Sequence, residues 1–558
     1  MRPFISSAIL LIAVGAGCSE GDSVTPARDA SLNGGTLVIS VGGDPDLLLP
    51  PLTATTPGRL VNALVYDRLA EIGDSLNTVG DGGFEPRLAR TWQWAGDSLS
   101  IAFNLDPRAR WHDGKPVRAS DVRFTHRLYS DAATNSPFAT VIASIDSVSV
   151  RDSLTAVVWF SKRSPLQFFD AVSTMSILPE HALTGVTGEA LRTSPLARSP
   201  IGSGRFRFVR WRAGESLELA ADTGNYRVRP HLNRVILTIA PDFNTALARV
   251  LGGEADLLEQ IPVTSVAQVS ADPDLRALPA AGLEYSFIQF NLRAPRSSSR
   301  PHAIFGDREM RRALTMGVDR KRIVKNIYDT LASAAVGPTV RAFSTTDTAL
   351  RQIPYSPDAA RRILDSLGWR DADADGIREK NGRPLRFTLA VPSSSKARVN
   401  MAVLAQEQFR QIGAMVDIDQ LEFAAFVDRE TRRDFDAVFG SWQSEASPGG
   451  IRQTWGSHGS RTGGSNFGSY ENATFDSQVD SALSAMSFDA RRAHFTSAYQ
   501  QIIDDAPAIW MAEPRRIIVI HRRIDVTGLR ADAWWAKIGD WSIPANSRIP
   551  RDNPPAVQ

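Results

Sequence analysis

Phe84-Glu85-Pro86-Arg87-Leu88-Ala89-Arg90-Thr91-Trp92, then Leu99-Ser100-Ile101-Ala102-Phe103-Asn104-Leu105, then Trp111-His112-Asp113-Gly114-Lys115-Pro116-Val117-Arg118-Ala119-Ser120-Asp121-Val122, is the stretch that decides the fold. Its local reading is structural. Ser98 to Leu105 has strand composition, His112-Asp113-Gly114 has turn chemistry, and Pro116 stiffens the approach to a helix that Ala119-Ser120-Asp121 opens and Tyr129 closes. Working outward, Thr36 to Val41 is a β-branched run stopped by Gly42-Gly43-Asp44-Pro45, and Ser147 to Phe160 is a further strand candidate. Helical patterns follow at Asn244 to Leu251, at Pro357 to Leu367 with Ser356 as N-cap and Gly368 beyond its end, and from Arg398 towards Ile412-Gly413. Strands that alternate with helices predict an α/β architecture with much of the sheet buried.

The chain has 558 residues, several times what one hydrophobic core takes, so at least two lobes are expected. A hydrophobic fraction of 43% and a charged fraction of 22% are those of an ordinary globular body. Beyond the N-terminus no run approaches the roughly 18 apolar residues of a membrane span. Lys and Arg (63) nearly balance Asp and Glu (61) for a formal charge of +2, and the basic residues are scattered, which argues against a nucleic-acid partner. The eight histidines form no pair at metal-ligand spacing. No G-x-S-x-G, P-loop or H-E-x-x-H occurs, and Asp504-Asp505 sits directly before Ala506-Pro507, so the chain is not read as an enzyme.

The single cysteine, Cys18, follows a basic Arg2, an apolar stretch from Ile5 to Ala16, and the small residues Gly15-Ala16-Gly17. This resembles the lipobox of bacterial lipoproteins, with Gly15 where Leu is usual, and implies a signal peptide over 1–17 and a lipid anchor on Cys18. An ordinary secretory signal with a chance cysteine is the alternative. Residues 18–33, polar and rich in Gly, Ser, Asp and Thr, read as a tether that holds the body off the membrane on the periplasmic or cell-surface side.

The stretch from Phe84 to Val122 closely resembles the signature of the oligopeptide-, dipeptide- and nickel-binding proteins of ABC importers. The similarity continues in order through Pro200-Ile201-Gly202-Ser203-Gly204-Arg205-Phe206, Asn225-Tyr226, Phe290-Asn291, Met310-Arg311-Arg312-Ala313-Leu314, Val318-Asp319-Arg320, Asn466-Phe467-Gly468-Ser469-Tyr470 and Asp504-Asp505-Ala506-Pro507. It implies a two-lobed periplasmic-binding-protein fold with an extra domain on lobe I and a ligand cleft between lobes joined by two hinge strands. Lobe I would comprise 34–75, 198–286 and 513–548, the extra domain 76–197 and lobe II 287–512, with hinge strands near Tyr285 to Asn291 and Ile509 to Ile520. It further implies a monomer that captures peptides or similar small ligands and delivers them to a membrane permease. A ligand sensor or periplasmic chaperone on the same fold, or a sugar, nickel chelate or opine as ligand, are the alternatives.

In peptide-binding members a "W-x-x-D-Y-x-D-P" segment sets an acidic residue against the peptide's ammonium. The corresponding run here is Trp442-Gln443-Ser444-Glu445-Ala446-Ser447-Pro448, so Glu445 is the candidate for the amine, and an exposed loop glutamate is the alternative. Trp442, Trp455 and Phe467 are candidate cleft aromatics, and Tyr66 is a candidate from lobe I, although each also suits a core. Asp371, Asp373 and Asp375 have the D-x-D-x-D-G spacing of a calcium loop, but Gly382 stands where the bidentate Glu belongs. A solvated turn is the favoured reading over a structural Ca2+, and no cofactor is expected.

Overall fold

In the computed structural model residues 32–553 are described, apart from 140, 298 and 462–463. The signal segment, Cys18 and nearly all of the tether therefore lie outside the described residues. The β-branched run Thr36–Val41 is a wholly buried strand, as a strand covered on both faces should be. It lies central in a seven-stranded sheet ordered Leu275–Ala280, Arg516–His521, Leu257–Leu258, Thr36–Val41, Arg234–Ile239, Ser216–Ala221, Phe206–Arg212. Thr36–Val41 runs parallel to Arg234–Ile239 and Leu257–Leu258. Two antiparallel steps through Arg516–His521 make Leu275–Ala280 parallel to them as well.

A five-stranded sheet follows, ordered Met415–Leu421, Arg386–Pro392, Ala437–Gln443, Glu284–Phe290, Ala508–Trp510. Its first three strands are parallel, and Glu284–Phe290 runs against Ala437–Gln443. A four-stranded antiparallel sheet, Ala89–Trp94, Ser100–Leu105, Thr155–Phe160, Ile145–Asp152, forms the extra domain. The single strand expected over Ser147 to Phe160 is thus a hairpin. Asp152 Oδ1 accepts from Leu154 N at 2.9 Å, an Asx turn that a composition-based reading passes over. The other expected elements recur as helices Ala119–Ser130, Phe243–Leu251, Pro357–Ser366 and Lys396–Gln411. Ser356 makes no capping bond with its side chain, whereas Gly368 takes the left-handed φ of +83° that a helix end favours. Among the described residues no helix is long and apolar enough to cross a membrane.

The chain passes between the two large sheets twice, at 281–283 and at 511–515. The hinge strand expected near Tyr285 to Asn291 falls on Glu284–Phe290, which is instead an inner strand of the five-stranded sheet, and the crossing precedes it. The crossing segments touch through backbone: a Cβ on Gly282 would lie 2.5 Å from Pro514 O. Ser286 O accepts from Met511 N at 2.8 Å, tying the two at the entrance to the second lobe.

The signature residues turn out to hold one another. His112 N donates to Gly202 O at 2.8 Å, His112 Nδ1 accepts from Gly202 N at 3.2 Å, and His112 Nε2 then donates to Gly204 O at 2.9 Å. Burial lowers the His112 pKa, in keeping with a neutral ring that does both. Gly202 and Gly204 lie against the end of helix Thr56–Val65, where a Cβ would stand 1.8 Å from Val65 O and 2.4 Å from Leu64 O. Asn225 Nδ2 donates to Ser203 O and Gly204 O, so a third motif closes on the same loop. Asp121 caps its helix through Arg118 N at 2.8 Å and receives Glu180 N at 2.9 Å. In the second lobe, Asn466 Nδ2 donates to the carbonyls of Trp455, Gly456 and Tyr470. Asp505 accepts from Tyr470 Oη, Asn472 Nδ2 and Gln501 Nε2 and faces Arg308, which leaves it a structural anchor. Arg320 Nη1 reaches Trp510 O at 2.7 Å, next to the second crossing.

Candidate ligand site

Strand direction locates the site. In the first lobe the carboxyl ends of Thr36–Val41, Arg234–Ile239 and Leu257–Leu258 lie at the edge from which the chain leaves after Ala280. In the second, the chain enters at Glu284, so the carboxyl ends of Arg386–Pro392, Met415–Leu421 and Ala437–Gln443 lie at the facing edge. Open α/β sheets bind ligands outside the carboxyl ends of their strands, and here two such edges face each other across the crossing segments.

The loop after Ala437–Gln443 carries two of the residues singled out in the sequence. Ser444 N donates to Leu283 O at 2.7 Å, pinning this loop to the first crossing segment. Glu445, the next residue, is exposed, and its carboxylate has no hydrogen bond or ion pair among the described residues. Trp442 is half-buried and lies nearly parallel to Phe467, with ring centroids 6.0 Å apart at 26°. Trp442 Nε1 is buried and finds no acceptor among the described residues. The structure therefore brings Trp442, Phe467 and Glu445 to one edge beside the crossing.

It does not bring Trp455 or Tyr66 there. Trp455 is fully buried, donates from Nε1 to Tyr285 Oη at 2.9 Å, and packs edge-on against Phe287 and Trp510 at 5.1 and 4.7 Å. Its place is the core beneath the cleft, because the short helix Ile451–Thr454 turns it inward. Tyr66, 2% exposed at the end of helix Thr56–Val65, directs its hydroxyl to Leu48 O inside lobe I. The Asp371, Asp373 and Asp375 carboxylates lie with that of Glu379 within 4.8 Å of one another and are largely exposed. Their oxygens are taken by the backbone N–H groups of Gly376, Asp375 and Ile377, and that of Glu379 by Ala372 N, which is a self-capped acidic turn.

Three charged groups that the sequence did not single out, Glu284 and Glu430 with Arg398 in electrostatic range of both, run from the edge at Glu284 down to the middle of the sheet at Gly440. Arg398 lies in the first turn of helix Lys396–Gln411 and reaches Phe439 O at 3.4 Å, with Glu284 and Glu430 within electrostatic range. Among the described residues neither carboxylate is close enough to form an ion pair with it. Burial depresses the Arg398 pKa while Glu284 and Glu430 oppose the shift. Glu430 Oε1 occupies space left by Gly440, 3.4 Å from where a Cβ would stand. Burial pushes the Glu430 carboxyl up to about 7, against the pull of Arg398. No signal in the sequence marks these residues, because they come from separate segments that only the strand order brings together.

The raised Glu430 pKa has a defined sign. The folded state prefers the neutral acid, so this preference stabilises the fold below its ordinary value of 4.5 and is lost as pH rises through about 7. Glu430→Gln, always neutral, is expected to raise the melting temperature relative to the parent by an increment that grows between about pH 5 and about pH 8. Melting curves that stay parallel across that range would remove the buried carboxyl from consideration.

Two sheets whose carboxyl edges oppose each other across a double crossing, with an antiparallel domain attached to the first, define a two-lobed binding protein that encloses its ligand. A family model described as bacterial extracellular solute-binding proteins, family 5 Middle, matches residues 83–462. The chain belongs to this family of non-enzymatic solute-binding proteins. It is 25% identical over 523 residues to oligopeptide-binding protein AppA of Bacillus subtilis, covering 93% of each chain. It is also 25% identical over 476 residues to heme-binding protein A of Haemophilus influenzae, covering 80% of this chain and 81% of that one. Among solved structures, the ABC transporter substrate-binding protein CtaP of Listeria monocytogenes superposes with a TM-score of 0.77 at 21% identity, over 92% of this chain and 100% of that one. NikZ of Campylobacter jejuni in complex with Ni(L-His) gives 0.70 at 24% identity, over 91% and 99%.

Proposed function

We propose that this protein captures peptides, through a free amine held by Glu445, and delivers them to the permease of an ABC importer. The observation that carries this reading is the Trp442–Glu445 loop. It sits at the carboxyl edge of the second sheet, is bound to the crossing segment through Ser444, and carries both an exposed, unpaired carboxylate and, three residues earlier, an indole donor that has no acceptor among the described residues. A relative named as oligopeptide-binding over nearly its whole length supports the ligand class. With the boundary expected at 286/287 moved back to the crossing at 281–283, residues 34–75, 198–280 and 516–548 act as one lobe and 284–510 as the other, with 76–197 riding on the first. Lipid on Cys18 anchors the protein, which works as a monomer on the outer side of the membrane.

The test is a thermal-shift series on the full chain with mixed di- to pentapeptides, their N-acetylated forms, nickel–histidine and heme. A ligand at 100 times its dissociation constant adds about 2.7 kcal/mol of stability, a shift that is easily read. Peptides are expected to raise the melting temperature, and both N-acetylation and Glu445→Gln to abolish the rise. A rise with nickel–histidine or heme and none with peptides would overturn the peptide reading and leave the binding protein standing.

A further inference from the structure

The two lobes also meet through loop 73–83, between strands Ala70–Ile72 and Phe84–Pro86. The loop is closed on itself by Gly73 N to Gly83 O at 2.9 Å and fixed to its own domain by Gly80 N to Pro165 O at 3.0 Å. Asp81 Oδ2 takes both Trp92 Nε1 and Trp94 Nε1, at 2.8 and 3.2 Å. A loop with that composition belongs in water, yet Leu76, Thr78 and Val79 are 3%, 3% and 7% exposed. Leu76 shares a buried cluster with Phe475, Val479, Ala482 and Phe495 of the second lobe's hairpin of helices Ala473–Ser484 and Phe488–Asp505, and Thr78 meets Arg491 of the second of them.

At the contact stands Arg491, 0% exposed. Its Nε donates to Ala482 O at 3.0 Å and Nη2 to Leu483 O at 3.4 Å, capping the first helix of the hairpin. Its Nη1 donates to Thr78 Oγ1 across the lobes at 3.4 Å. No carboxylate pairs with it among the described residues. A guanidinium sealed from water with only neutral acceptors is held against its own desolvation, and rotation of the lobes apart returns it to water.

We propose that loop 73–83 is a closing strap, in which Thr78 meets Arg491 as the lobes close and the missing counter-charge keeps the closed form weak until ligand adds its contacts. The strap thereby sets how far the empty protein stays open, and so how much of any ligand's intrinsic affinity is expressed. Nothing in it depends on which ligand the cleft takes.

The test is made on the ligand-free full chain. Thr78→Val removes the acceptor and is expected to lower the closed population about fivefold. It should appear as a larger radius of gyration in small-angle scattering and faster amide exchange in 73–83 and 488–505. Thr78→Asp supplies the missing charge and is expected to raise the closed population about tenfold, shrinking the radius and slowing exchange in the same two segments. Thr78→Ser keeps the hydroxyl and should scatter as the parent. If Thr78→Asp does not fold, the Val and Ser pair still decides: identical scattering and exchange for both would overturn the strap, as would Val and Asp variants that move the same way.

Discussion

Asp256→Ala is expected to cost the fold about 3–5 kcal/mol, the range for removing one partner from a buried ion pair. Asp256 is 0% exposed immediately before the strand Leu257–Leu258 and accepts from Val38 N at 2.9 Å. It also accepts from Arg523 Nε at 2.9 Å and Nη2 at 3.0 Å, and from Arg551. Arg523 in turn reaches Asp552 Oδ2 at 2.7 Å and Thr36 O at 3.0 Å, while Asp552 Oδ1 receives Thr36 N at 2.7 Å. This knot joins the first strand, the centre of the seven-stranded sheet and the C-terminal segment. Removing Asp256 leaves an amide and a guanidinium sealed without their acceptor, since Asp552 serves only part of Arg523. Asp256→Asn keeps one acceptor and should lose less. Urea denaturation followed by tryptophan fluorescence measures both, and an Ala variant that lost under about 1 kcal/mol would show that the knot is not under tension.

Gly202→Ala is expected to destabilise by about 3 kcal/mol or more, the upper end for overpacking, because the obstacle is backbone. The added methyl would sit 1.8 Å from Val65 O, and moving the loop away breaks the bonds that Gly202 makes with the His112 amide and with its ring Nδ1. Gly43→Ala is the matched control: nothing lies within 4 Å of its Cβ, so its stability should stay within about 0.5 kcal/mol of the parent. Thermal denaturation of the two variants side by side decides the matter, and equal melting temperatures would mean that the Gly202 loop yields freely.

These two sites explain why the fold was legible and the ligand site only partly so. His112, Gly202, Gly204, Asn225 and Asn466 spend their polar groups on backbone and on one another, and Asp505 spends its carboxylate on Tyr470, Asn472 and Gln501, so the motif spacing encodes how the lobes are assembled. The same spacing says little of the cleft, whose groups come from loops at strand ends. Trp442 and Glu445 could be nominated, and Phe467 with them, because their segments retain a recognisable pattern, and the structure places the three at one edge. Trp455 and Tyr66 misled because an aromatic in a family-typical segment reads alike whether a short helix turns it in or out. Arg398, Glu284 and Glu430 were invisible, since nothing in linear order foretells that the start of helix Lys396–Gln411 meets the middle of strand Ala437–Gln443. The hairpin at 152–155 hides for a smaller reason: two β-branched runs flank only the short Asp152-Ser153 pair, and a single Asx turn at Asp152 is enough to reverse the chain.

The contact between Gly282 and Pro514 bears on how the protein is read by whatever it docks with. Two connections spaced apart would let the lobes shear, twist and hinge independently. Two connections in backbone contact behave as one axle, and relative motion is reduced to a single angle. A molecule with one angular coordinate can report only that it is shut, not what it has shut upon. Cargoes of different size and chemistry that reach the same angle therefore present the same outline, and discrimination among them has to be completed inside the cleft before the lobes meet.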